Sequence, residues 1–135
     1  MHPTATLSIL VVEDDEMALA PLSDAIDLKY PHAMVHTAIN GRKGLENYIK
    51  NSPDITITDI NMPEMDGIEM VREILLIKND APIIAVTAYG DRTIREVTSQ
   101  AGIKIHQYLL KPLNYGQLFE AIDNVLATRP GQVLQ

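Results

Sequence analysis

Five side chains of this 135-residue chain stand where a short apolar run has just ended. Glu13 and Asp14 follow SILVV, Asp59 closes ITITD, Thr87 follows PIIAV, and Lys111 follows IHQYLL. Three acids brought together repel one another, each pair costing about 1 kcal/mol in water and more where partly buried. A hard divalent cation relieves that repulsion, and Mg2+ is commonly held by a few carboxylates while keeping several waters. An aspartate beside such a cation and an amine can attack phosphoryl groups as a nucleophile. Lys111 and the cation would neutralise charge on the transferred group, and Thr87 would hydrogen-bond one of its oxygens. All of this requires the five to be neighbours, which depends on the elements that carry them.

Ser8 to Val12 forms a short apolar run that ends in the acidic burst EDDE. Met17 to Leu28 has Leu19, Leu22, Ala25 and Ile26 at helical spacing. Pro21 falls inside that stretch, so the helix either starts late, with Pro21 in its first turn, or bends there. Met34 to Ala38 is a weaker strand, and Asn40-Gly41 leads into a helix through Leu45, Tyr48 and Ile49. ITITD is the third strand. After Asp66-Gly67 comes a helix with Ile68, Val71, Ile74 and Leu75, and PIIAV is the fourth strand. Asp91 is expected to cap a helix reaching Ala101-Gly102, and Ile105 to Leu110 is the last strand. Asn114, with Gln117 three residues on, opens a final helix whose apolar face is Leu118, Phe119, Ile122, Val125 and Leu126. Short apolar strands alternating with amphipathic helices imply a parallel sheet covered on both faces, a doubly wound α/β domain. Ligands of such sheets bind beyond the carboxyl ends of the strands, where all five side chains lie.

Composition narrows the function. Hydrophobic residues are 46% and charged residues 21%, as in one globular domain. A formal charge of -7 argues against a phosphate-backbone binder. With no cysteine, disulfides, thiolate metal sites and thiol nucleophiles are excluded. MHPTATLS lacks the layout of a signal peptide, no apolar run approaches a membrane span, and a cytoplasmic protein is expected. The domain is expected over residues 8–127, after an N-terminal extension (1–7) and before a tail or linker (128–135).

LVVED (Leu10 to Asp14), DINMPEMDG (Asp59 to Gly67), VTA (Val86 to Ala88) and YLLKP (Tyr108 to Pro112) occur in order with compatible spacing. Together they make the chain resemble a response-regulator receiver domain of two-component signalling, from about Ser8 to Ala127. The resemblance implies a flavodoxin-like (βα)5 fold with strand order 2-1-3-4-5. It implies that Asp59 is the phosphoacceptor and that Mg2+ is held by Asp14 directly, by Glu13 mainly through water, and by the Asn61 carbonyl. Thr87 and Tyr108 match the coupled switch pair and Lys111 the phosphate-contacting lysine, with a cis peptide before Pro112. The implied partners are a histidine kinase or phosphotransfer protein, and an output domain or second copy on the last helix-strand-helix face. Neither nucleic acid nor membrane is expected to be bound directly.

Taken singly, Asp59 reads as a helix cap or solvated turn, Lys111 as a surface lysine and Tyr108 as core. Their convergence favours the functional reading. Asp15 and Glu16 suit the start of the following helix better than a metal, and the four histidines show no phosphotransfer or metal spacing. An aspartyl-nucleophile phosphohydrolase of the haloacid-dehalogenase kind is the alternative. Such enzymes carry Asp-x-Asp after the first strand, whereas here Asp59 follows the third and position 61 is Asn. A flavodoxin-like cofactor binder would need a phosphate loop where this chain has EDDE. Two departures from the receiver pattern stand out: Glu13-Asp14 in place of two aspartates, and a Gly102–Gln107 segment about two residues longer than usual. Tyr89 is bulky, lies two residues beyond Thr87, and is expected to slow hydrolysis of the phosphoryl mark.

Overall fold

A computed structural model describes residues 7–60, 62, 65–88 and 91–128, the side chains of 91–94 excepted. Strands and helices alternate in the order β1 (Ser8–Val12), α1 (Glu16–Lys29), β2 (Met34–Ala38), α2 (Gly41–Asn51), β3 (Ile55–Asp59), α3 (Gly67–Ile77), β4 (Ile83–Thr87), α4 (Asp91–Gln100), β5 (Gln107–Leu110) and α5 (Tyr115–Ala127). All pairings are parallel, and the strand order is β2-β1-β3-β4-β5, the expected doubly wound sheet. Every residue of β3 and β4 is buried, Thr56 and Thr58 included, so neither strand has a solvent-facing side. Side-chain alternation still sorts them. Ile9, Val11, Ile57 and Val86 pack with α1 and α5, whereas Leu10, Val12 and Ile83 pack with Tyr48 of α2 and Met70 and Ile74 of α3.

Helices begin at the carboxyl rim with side-chain caps. Asp15 accepts from the Met17 N–H at 3.0 Å, Asn40 from Lys43 at 2.8 Å, Asp66 from Glu69 at 2.8 Å and Asn114 from Gln117 at 2.9 Å. Helix α4 begins at Asp91 itself, and Gly102 beyond its end has φ +74°, a left-handed conformation that glycine adopts without strain. The buried face of α5 is Leu118, Ala121, Ile122 and Val125, with Phe119 and Leu126 half-buried beside it.

Helix α1 covers the expected Met17–Leu28 stretch, and of the two options at Pro21 the late start is excluded: Asp15 caps the helix, which runs through Pro21. One boundary corrects the sequence reading. Strand β5 starts at Gln107 rather than Ile105, because the residues before it serve the core and a side-chain bond instead of the ladder. Ile103 is buried and Ile105 packs against the same cluster. The Ile83 N–H, on the β5 side of β4, donates to the His106 imidazole Nδ1 at 3.3 Å, and the His106 N–H donates to the Ile83 carbonyl at 2.9 Å. The longer Gly102–Gln107 segment is thus spent on packing and on the His106 contact with Ile83. Apart from Leu7 and Thr128, the expected extension and tail lie outside the described residues. No described helix is long and apolar enough to cross a membrane.

Candidate functional site

The ends of three strands build the site. Glu13 extends the β1 ladder, donating its N–H to the Ala38 carbonyl at 3.0 Å. Asp59 is the last residue of β3 and faces Val86 across the ladder. Lys111 follows β5 and donates its N–H to the Thr87 carbonyl at 2.8 Å, which ties the ends of β4 and β5 together. The Lys111-Pro112 peptide is cis, as the resemblance implies.

From these anchors the side chains meet. The Lys111 ammonium donates to Asp59 Oδ2 at 3.0 Å and to Glu13 Oε1 at 3.1 Å, and both carboxylates are only 7% exposed. The second Glu13 oxygen accepts from the Asp15 N–H at 3.1 Å. Asp14 is exposed, yet Glu13, Asp14 and Asp59 each offer an oxygen within 4.8 Å of the others. Three carboxylates thus face one amine. Burial works to lower the Lys111 pKa, but the hydrogen bonds and charges of Asp59 and Glu13 outweigh it and hold the amine above its ordinary 10.5. For Asp14, loss of hydration and then the adjoining Glu13 carboxylate push the carboxyl above its ordinary 3.8. An all-oxygen, hard and net-negative donor set of this kind fits Mg2+. A cavity of about 320 Å3 beside the cluster, walled by Ala18, Pro21 and Leu22 of α1 and by Pro112 and Leu113, leaves room for an incoming group.

Thr87 ends β4 with its side chain fully buried, one residue past the register partner of Asp59. Tyr108 is half-buried and its hydroxyl shares a short hydrogen bond with the Thr98 hydroxyl of α4. The Arg95 guanidinium lies 4.9 Å from the centre of the tyrosine ring, and Thr98 also donates to the Arg95 carbonyl at 3.1 Å. Neither Thr98 nor Arg95 was expected at the site. No spacing in the sequence marked either residue; Thr98 is buried, at 1% exposed, where its neighbours Val97 and Ser99 are exposed. Asn61 and Tyr89 lie outside the described residues.

Residues 9–123 match the response regulator receiver domain. The chain is 36% identical over 118 residues to a chemotaxis protein CheY of Bacillus subtilis, covering 87% of this chain and 96% of that one. It is also 34% identical over 119 residues to a protein-glutamate methylesterase/protein-glutamine glutaminase of a Nocardioides species, covering 88% of this chain but only 32% of that protein. A receiver-domain crystal structure from Clostridium thermocellum superposes with a TM-score of 0.78 at 30% identity, covering 88% of this chain and 93% of the other. Fold, rim cluster and relatives agree: the chain belongs to the response regulator receiver domains, the phosphoacceptor modules of two-component signalling.

Proposed function

We propose that Asp59 is the phosphoacceptor and that Glu13, Asp14 and Asp59, with the Asn61 carbonyl, hold the Mg2+ on which the transfer depends. The observation that carries this reading is the Lys111 ammonium bridging Asp59 and Glu13 at a nearly buried strand end. An Asp59 oxygen forms the new bond to phosphorus as the phosphorus–nitrogen bond of a phosphohistidine donor breaks, the electron pair leaving on the imidazole. Bound Mg2+ would supply charge neutralisation at the phosphoryl oxygens. Lys111 exchanges its Asp59 contact for a phosphoryl oxygen in this reading, and Thr87 on the neighbouring strand end supplies a hydroxyl; the 3.0 Å Lys111–Asp59 contact supports it.

The donor is a histidine kinase or phosphotransfer protein. The outgoing signal leaves through the α4-β5-α5 face, where Val97 of α4 and Leu110 of β5 are exposed apolar side chains available to an output domain or a second copy. Acetyl phosphate with Mg2+ should label the wild type and leave Asp59→Asn unlabelled, since the amide keeps the shape and loses the nucleophile. Label that survives this substitution, or steady turnover of phosphate esters, would overturn the assignment.

A further inference from the structure

Glu13 stands where the receiver pattern has an aspartate, and its extra methylene gives the carboxylate one more rotatable bond to hold still. The main chain is fixed first: the Glu13 N–H donates to the Ala38 carbonyl at 3.0 Å, so β1 delivers the residue to the rim. The carboxylate is then held at both oxygens. Oε1 accepts from the Lys111 ammonium and Oε2 from the Asp15 N–H, each at 3.1 Å. These two donors differ in kind. Lys111 ends a flexible stem and is shared with Asp59 at 3.0 Å. The Asp15 donor is main chain, and α1 sets its position. Asp15 Oδ1 accepts from the Met17 N–H at 3.0 Å, and the Asp15 carbonyl accepts from the Ala18 and Leu19 N–H groups at 2.9 Å. Leu19, Leu22 and Ile26 root that helix in the core.

We infer that Asp15 is a positioning residue for the metal site: as the N-cap of α1 it holds its own N–H against Glu13 Oε2 and so fixes the Glu13 carboxylate beside Asp14 and Asp59. The inference rests on the Mg2+ reading above, which counts Glu13 among the groups that hold the ion. Each link, from Met17 to Asp15 and from Asp15 to Glu13, is a hydrogen bond between neighbouring residues. The Asp15 N–H also keeps its hold when Lys111 turns to a phosphoryl oxygen. The cap needs an acceptor oxygen and not a charge, since asparagine caps as well as aspartate whereas alanine caps poorly.

Asp15→Ala should therefore weaken Mg2+ binding about tenfold in a calorimetric titration, the scale on which groups that orient metal-binding side chains act. Asp15→Asn keeps the cap, loses the charge, and should stay within twofold of wild type. Leu126→Ala, near the far end of α5, controls for lost stability alone and should leave the affinity unchanged. In a Glu13→Ala background the Asp15 N–H has no carboxylate to hold, so adding Asp15→Ala should change the affinity less than twofold. Equal losses in Asp15→Asn and Asp15→Ala would make charge the cause and overturn the inference. Affinity within twofold of wild type in Asp15→Ala, or an undiminished loss in the Glu13→Ala background, does the same, and all three outcomes leave the metal reading intact. A wild type that binds no Mg2+ overturns both. If Asp15→Ala does not fold, amide exchange decides: the Asp15 N–H should exchange more slowly in wild type than in Glu13→Ala, and equal rates refute the hold on Glu13.

Discussion

Asp14 is where charge repulsion and metal affinity oppose each other in one side chain. Its pKa is raised by lost hydration and by Glu13, with Lys111 relieving part of the effect. A raised carboxyl pKa means that the native state holds the proton more tightly than the unfolded chain does. Ionising Asp14 therefore costs stability. The cost develops as pH rises through the window above 3.8. Asp14→Asn removes the charge and keeps the shape, so the metal-free variant should melt higher than wild type at pH 7, by a few degrees at most because Asp14 is exposed. Below the ordinary carboxylate range the two midpoints should converge. A lower midpoint for the variant at neutral pH would show that Asp14 stabilises the metal-free rim after all. Lys111 shows the opposite sign. Its raised pKa keeps it charged at any pH where the protein would operate, and its contribution is lost only in alkali, as pH rises through the native value above 10.5.

At the scale of elements, the central strands were legible because burial on both faces writes itself as short apolar or β-branched runs, as in SILVV, ITITD and PIIAV. Since the chemistry sits at the ends of such runs, the sequence alone puts Glu13, Asp14, Asp59, Thr87 and Lys111 on one rim. Pro21 left two options open because a proline inside a helix is normally costly, and the Asp15 cap with the buried Leu19, Leu22 and Ile26 carries α1 past it without a late start. The start of β5 was hidden for another reason: Ile103 and Ile105 are apolar for the α3 side of the core, and periodicity cannot distinguish that from a strand. The Thr98–Tyr108 bond was invisible because it joins two elements through hydroxyls of no special spacing. It yields a test of how α4 and β5 are held together. Thr98→Val keeps the volume and removes the hydroxyl, and should cost about 0.5–1.5 kcal/mol of unfolding free energy. Because Arg95 can still cover the ring, Tyr108 should stay folded against α4 while its ring resonances broaden or shift. Unchanged stability and an unchanged tyrosine spectrum would mean that the hydroxyl pair contributes nothing to this junction.

For the molecule as a whole, an acidic chain with formal charge -7 gathers three of its 18 acids at one end of the sheet, where they are matched by a single amine. Dispersed surface acids and this cluster respond differently to ions. Screening acts over about 8 Å at physiological ionic strength, so monovalent salt quiets repulsion between distant side chains. The cluster oxygens lie within 4.8 Å of one another, inside that distance, and its members Glu13 and Asp59 are nearly buried. A directly bound divalent cation reaches what screening cannot. Binding to the native state alone stabilises by RT ln(1 + [L]/Kd), about 1.4 kcal/mol when free Mg2+ is tenfold above Kd. For a domain of this size that corresponds to a rise of about 4–6 °C in the thermal midpoint. The rise should persist in a background of 0.15 M NaCl, disappear on chelation, and be lost in Asp14→Asn even though that variant starts from a higher metal-free midpoint. NaCl at matched ionic strength should not reproduce it. If millimolar Mg2+ leaves the wild-type midpoint unmoved, or raises that of Asp14→Asn equally, the three carboxylates do not form a metal site and the rim is only an acidic surface.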